Sequence, residues 1–275
     1  MIHLHDILGM KISDYEAERL RLEVLFTKTR FNESDYATFE TTLKDMSEAP
    51  FRTSKMRGTS ISIDDFMNRC KPYWYTASLE GLLFYCEILF NIAICANDVI
   101  RHNSCALKLQ NQLCGNIVEI LENTGYEIQK GENGLYCVVQ KNAIATDVIK
   151  DLDDKHLAVA ILEYNRFSLN GDIERKRELL NTIGQAIEPV AKDKLLRAKC
   201  PEVFDDVNFA LNRLNIRHNN VAGKHEQPAF HHLSNTDVEV AYDDLYASML
   251  ILLKVSQYKD GHARMEELKK AMIKA

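Results

Sequence analysis

The sequence predicts a mainly α-helical protein, a multi-helix bundle with one small β-hairpin near the middle, and three observations carry that expectation. Only five prolines and eleven glycines punctuate 275 residues. Long segments repeat apolar residues every three or four positions, the period of a helix with one buried face. A single stretch, YEIQ–KGENG–LYCVVQ, alternates β-branched with polar residues around a glycine turn. A hydrophobic fraction of 46% suffices for one large domain or two modest ones with a real core.

In chain order, residues 14–30 and 34–47 read as two helices, the second opened by Asn32 to Asp35. Residues 51–63 (FRTSKMRGTSISI) are polar and contain a glycine, and read as a loop or short extended piece. A helix at about 76–97 follows Pro72, and another at about 104–123 follows Asn103 and Ser104. The run GLLFYCEILFNIAICA (81–96) is broken by Glu87 and Asn91 and is shorter than the roughly 20 residues a membrane helix needs. It therefore reads as a buried core helix. After the hairpin, helices resume at about 143, with KHLAVAILEYNRF at 155–167. Asp172 then caps a run reaching Pro201, with Ile173, Leu180, Ile183 and Ile187 on one face. Residues 202–216 present Val203, Val207, Leu211 and Leu214. Thr236 with Glu239 forms a capping box for a helix lined by Val238, Ala241, Leu245, Met249 and Leu252. A charged helix at about 261–274 closes the chain. The helices from 172 to 258 need an antiparallel bundle to bury their stripes.

The net charge of −6 argues against broad polyanion coating, so any nucleic-acid contact is local. Seven cysteines without a C-x-x-C pair, and a start that does not read as a signal peptide, point to a reducing cytoplasm and no membrane association.

The chemistry concentrates in NIRHNNVAGKHEQP (215–228), where Arg217, His218, Asn219, Lys224 and His225 fall within nine positions. Arg213 and Arg217, four apart, share one face if the helix continues. An arginine holds a phosphate by two parallel hydrogen bonds, and a histidine moves protons near neutral pH. Cleavage of a phosphodiester by its own 2′-hydroxyl needs those two functions and no metal, which favours RNA. The same residues also suit an ordinary helix end: cations meet the last carbonyls, while Asn219, Asn220 and Gly223 accept positive φ. His225, Glu226, His231 and His232 form a weaker candidate metal cluster, with no nearby cysteine. Asp151, Asp153 and Asp154 lack the glycine and terminal glutamate of a calcium loop and read as a helix start. The aromatic cluster KPYWYT (71–76) reads as core packing, with base stacking as the alternative. No cofactor is implied.

The pattern FALNRLNIRHNN…GKH, followed by TDVEVAYDDLYASMLILL and preceded by ILEYNRFSLNGDIERKRELLNTIGQAIEP, resembles the HEPN domain (higher eukaryotes and prokaryotes nucleotide-binding) of abortive-infection-type prokaryotic proteins. The resemblance covers about 155–258. Its signature is an arginine with a polar neighbour, then four to six residues and a histidine. Arg217 has the polar neighbour His218, but seven residues separate it from His225; Arg213 has four residues before His218 but no polar neighbour. Gly223 would let the loop bring His225 back towards the helix end, which favours Arg217 with His225. The resemblance implies a metal-independent endoribonuclease used in phage defence or as a toxin. Arg217, His225 and His218 would be catalytic, with Arg213, Asn219 and Lys224 binding or positioning phosphate. It implies RNA and a second copy of the chain as partners, together with an antitoxin or trigger. The family also contains non-catalytic nucleotide-binding and protein-interaction modules. The chain then divides into a helical region at 1–124, the hairpin and its connection at 125–154, and a HEPN-like bundle at 155–275.

Overall fold

The computed structural model describes residues 12, 14–28, 38–131, 133–191, 193–217 and 232–274. The chain is mainly α-helical with one two-stranded antiparallel hairpin, as its periodicity predicts. It divides into two compact units, Met1–Lys141 and Asn142–Ala275.

The first unit comprises α1 (Tyr15–Lys28), α2 (Phe39–Thr53), a 3-10 turn (Lys55–Arg57), α3 (Ile63–Trp74), α4 (Leu79–Cys95), the short α5 (Asn97–Ile100), α6 (Ser104–Thr124), β1 (Tyr126–Lys130) and β2 (Tyr136–Gln140). Helix α4 is the organising element. It is apolar around most of its circumference, and such a helix must be buried on all sides. Leu82, Leu83, Cys86, Leu89 and Ile92 have no exposed surface, and α1, α2, α3, α6 and β2 all pack on it. The two polar interruptions in this run anchor the hairpin. Glu87 accepts the Val138 N–H at 2.7 Å, while Asn91 accepts the Tyr136 N–H at 2.9 Å and donates to its carbonyl at 2.8 Å. The helix thus supplies β2 with the partners that a third strand would otherwise provide.

Gly125, at φ 83°, ends α6 and turns the chain into β1. The strands pair from Tyr126↔Gln140 to Lys130↔Tyr136. Three local expectations need correction. Helix α2 runs past the expected end at 47, through Pro50, to Thr53, with Ser54 as its C-cap. Residues 64–74, between the expected loop and the next expected helix, belong to α3, whose only buried residues are Ile63 and Trp74, too thin a stripe to show as periodicity. Pro72 sits inside the last turns of α3, and the next helix begins after the Ser78 cap.

The second unit contains α7 (Ala143–Lys150), α8 (Lys155–Tyr164), a 3-10 turn (Phe167–Leu169), α9 (Ile173–Ala191), α10 (Lys194–Lys199), α11 (Pro201–Arg213) and α12 (Asn235–Lys274). Its core joins Ile161 of α8, Leu180, Ile183 and Ile187 of α9, Val207 and Leu211 of α11, and Tyr242, Leu245, Met249 and Leu252 of α12. Asp154 caps α8, accepting the His156 and Leu157 N–H groups, and so serves a helix start, whereas Asp151 lies at the C-terminal end of α7 and pairs with Lys254 at 3.3 Å.

Three expectations shift here too. The run from 173 to Pro201 is two helices, the first ending two residues after Pro189. The cap of α12 lies two residues earlier than expected. Ser234 Oγ accepts the Asp237 N–H at 3.2 Å and Asp237 returns a bond to the Ser234 N–H, because Glu239 is engaged elsewhere. The separate C-terminal helix is the continuation of α12. Among the described residues, no helix is long and apolar enough to cross a membrane.

Candidate functional site

Helix α11 stops at Arg213, three residues before its periodicity would end it. The Leu214 N–H bonds to the Ala210 carbonyl, and Asn215 adopts φ 58°, the left-handed conformation that asparagine tolerates best among side-chain-bearing residues. The chain then folds back. Ile216 is 2% exposed, and the Arg217 N–H bonds to the Leu211 carbonyl at 3.2 Å. Arg213 and Arg217 therefore do not share a helical face. Arg213 is exposed on the final helical residue, whereas Arg217 is presented from the turn beyond it.

Arg217 is held by neighbouring side chains. Its Nη1 donates to Asn212 Oδ1 at 3.3 Å, and its Nε lies 3.7 Å from Glu188 Oε1 of α9. A guanidinium has five N–H donors, so these contacts do not exhaust it. Arg217 and Arg177 line one small cavity of about 130 Å³ together with Glu178, Asn181 and Ile216. Arg177 is fixed by a 2.7 Å bond to Glu174 Oε2, with its side chain 13% exposed. Two guanidiniums and the Asn181 amide around one cavity form a set of donors suited to a phosphate.

His218, Asn219, Lys224 and His225 lie outside the described residues, as do Glu226 and His231 of the candidate metal cluster. His232 is exposed. Among the described residues, no three His, Cys, Asp or Glu side chains come together as metal ligands. In the aromatic cluster, Trp74 is buried against Phe84 and Tyr85, while Tyr73 and Tyr75 are exposed. Tyr75 carries the Arg19 guanidinium 4.4 Å from its ring centre.

Sequence reasoning missed Arg177 and its neighbour Lys176. Their signal is a pair of cations at positions three and four after Ile173, inside the apolar stripe of α9. Lys176, 4% exposed, lies 2.8 Å from both Glu239 Oε1 and Asp243 Oδ1 of α12. Asp243 also accepts the Tyr164 hydroxyl at 2.9 Å, and Tyr164 stacks on Tyr246 with ring centres 4.0 Å apart. Tyr246 accepts from Asn165 at 2.6 Å. This network joins α8, α9 and α12. Burial, with Asp243 beside it, raises the Tyr164 pKa, so the phenol stays a protonated donor at neutral pH. Burial pushes the Glu239 carboxyl up, but the Gly171 N–H and the Lys176 ammonium overcome it and hold the pKa below 4.5. The network fixes α9, the helix that carries Arg177, against α8 and α12.

No protein-family model, curated protein or solved structure matches this chain.

Proposed function

We propose that the C-terminal unit is a HEPN-like module that binds RNA and cleaves it without a metal. The observation that carries the reading is the convergence of Arg177 and Arg217 on one cavity, at the point where the sequence continues into His218 and His225. The two guanidiniums bind the scissile phosphate and stabilise charge on the pentavalent phosphorus. His225 takes the proton of the adjacent 2′-hydroxyl, whose oxygen attacks phosphorus. The bond to the 5′-oxygen breaks, and that oxygen leaves as a hydroxyl after receiving a proton from a protonated histidine, with His218 the adjacent donor. The products are a 2′,3′-cyclic phosphate and a 5′-hydroxyl end. Arg213, Asn219 and Lys224 guide the flanking backbone. A second copy of the chain completes a composite site, and the activity serves phage defence or a toxin role under an antitoxin or trigger.

The test is incubation of the intact chain with RNA in EDTA, comparing wild type, Arg217→Ala and His225→Ala. Cleavage to cyclic phosphate ends that both substitutions abolish is the expected result. Equal background in all three refutes the enzyme.

A second reading, a non-catalytic nucleotide-binding or protein-interaction module, is favoured by the hold of Glu188 and Asn212 on Arg217. It predicts RNA or protein binding without turnover.

A further inference from the structure

Arg177 lines a second, larger cavity of about 500 Å³ in the same unit, within the size range of small-molecule sites. Its other polar walls come from three places: Asp172 and Glu174 at the start of α9, Asn215 at the left-handed turn after α11, and Asn235 at the start of α12, with Leu233 contributing apolar surface. Resting on the phosphate-binding reading above, we propose that this cavity receives the ribonucleoside joined to the phosphate held by Arg177 and Arg217.

The lining chemistry matches the parts of a ribonucleoside. Carboxylates accept ribose hydroxyls, and Asp172 and Glu174 bring two to one side of the space. Glu174 already faces Arg177 at 2.7 Å, so its charge is balanced and it can sit beside a phosphodiester. Asp172 is held in place by the Arg175 N–H at 3.0 Å. A side-chain amide carries a donor and an acceptor side by side, the pattern that reads the edge of a base, and Asn215 and Asn235 supply two. Leu233 offers apolar contact to the base. Because Arg177 lines both cavities, a nucleoside in the larger one has its phosphate directed towards the smaller. The carboxylates make the site selective for ribose over deoxyribose, since a 2′-deoxy sugar leaves an acceptor unpaired.

Asn215→Gly removes the amide while glycine keeps the backbone at φ 58° without strain. Leu233→Trp fills the cavity from its rim. The intact chain is titrated with the four uncharged ribonucleosides, their 2′-deoxy counterparts and, separately, inorganic phosphate, followed by ligand-observed NMR. At least one ribonucleoside is expected to bind about fivefold more tightly than its deoxy form, and Asn215→Gly is expected to weaken it about fivefold while leaving inorganic phosphate unaffected. Leu233→Trp abolishes nucleoside binding. No ribonucleoside binding, equal ribose and deoxyribose affinity, or binding indifferent to both substitutions overturns the inference. Because nucleosides carry no phosphate, that outcome is read independently of RNA cleavage and of phosphate binding, which test the Arg177–Arg217 site.

Discussion

Replacing Lys176 with methionine tests the account of the buried network most directly. The residue is 4% exposed and bonds two carboxylates at 2.8 Å. Methionine keeps most of the stem and removes the ammonium. Breaking a fully buried ion pair from one side costs about 3–5 kcal/mol. Here the carboxylates are only partly enclosed, with the Glu239 side chain 24% and Asp243 51% exposed, so water recovers part of that loss. The expected destabilisation is about 2 kcal/mol, which lowers the melting temperature by about 4–8 °C for a chain of this size.

The pH dependence supplies an independent readout. Because the folded pKa of Glu239 lies below its ordinary 4.5, this carboxylate contributes stability above about 4.5 that is lost as pH falls through the folded value. Without Lys176 that pKa moves upward and the acid-side loss becomes shallower, although the Gly171 N–H still holds Glu239 at 2.7 Å. Circular-dichroism melts of both proteins from pH 7 to 3 measure the two effects together. A variant as stable as wild type at pH 7, with an unchanged acid slope, would refute the idea that the ammonium holds this network together.

Three further outcomes follow from individual contacts. Gly81→Ala places a Cβ 3.0 Å from the Thr76 carbonyl and 3.1 Å from that of Trp74. Backbone must shift, and a loss of about 2 kcal/mol in urea unfolding is expected despite alanine's better helix propensity. Arg177→Lys keeps the charge but loses the planar fork; RNA cleavage is expected to fall about 10–100-fold, measured as initial rates, and an unchanged rate removes Arg177 from the site. Iodoacetamide at pH 8 should label exposed Cys105 in the native protein while sparing Cys86, which is fully buried and whose pKa is raised by burial; Cys114, pushed up to about 11, should follow slowly. Mass spectrometry of the labelled peptides reads the order, and rapid labelling of Cys86 contradicts the α4 core.

The candidate site was only partly legible in the sequence. Arg217 stood out because arginine, histidine and asparagine cluster around it. Its environment did not, because Glu188 lies on another helix and Arg177 is drawn in from α9. The helix end was also misplaced, since apolar spacing runs on to Leu214, past the last helical residue Arg213, and Asn215 then turns the chain back at φ 58°. The α12 cap shows the same limit: Thr236 and Glu239 have the right spacing, but Glu239 is drawn to Gly171 and Lys176 across the unit.

Local pattern by itself determined the helical class, the hairpin with its glycine turn, and the burial of the 81–96 run. Those features depend on residues a few positions apart, whose periodicity and turn chemistry act before any long-range contact forms. Only the tertiary structure decided what Glu87, Asn91 and Lys176 do, since their partners lie 51, 45 and 67 positions away. A buried polar group in an apolar stripe announces that it must be satisfied, but the group that satisfies it is chosen by how the helices pack.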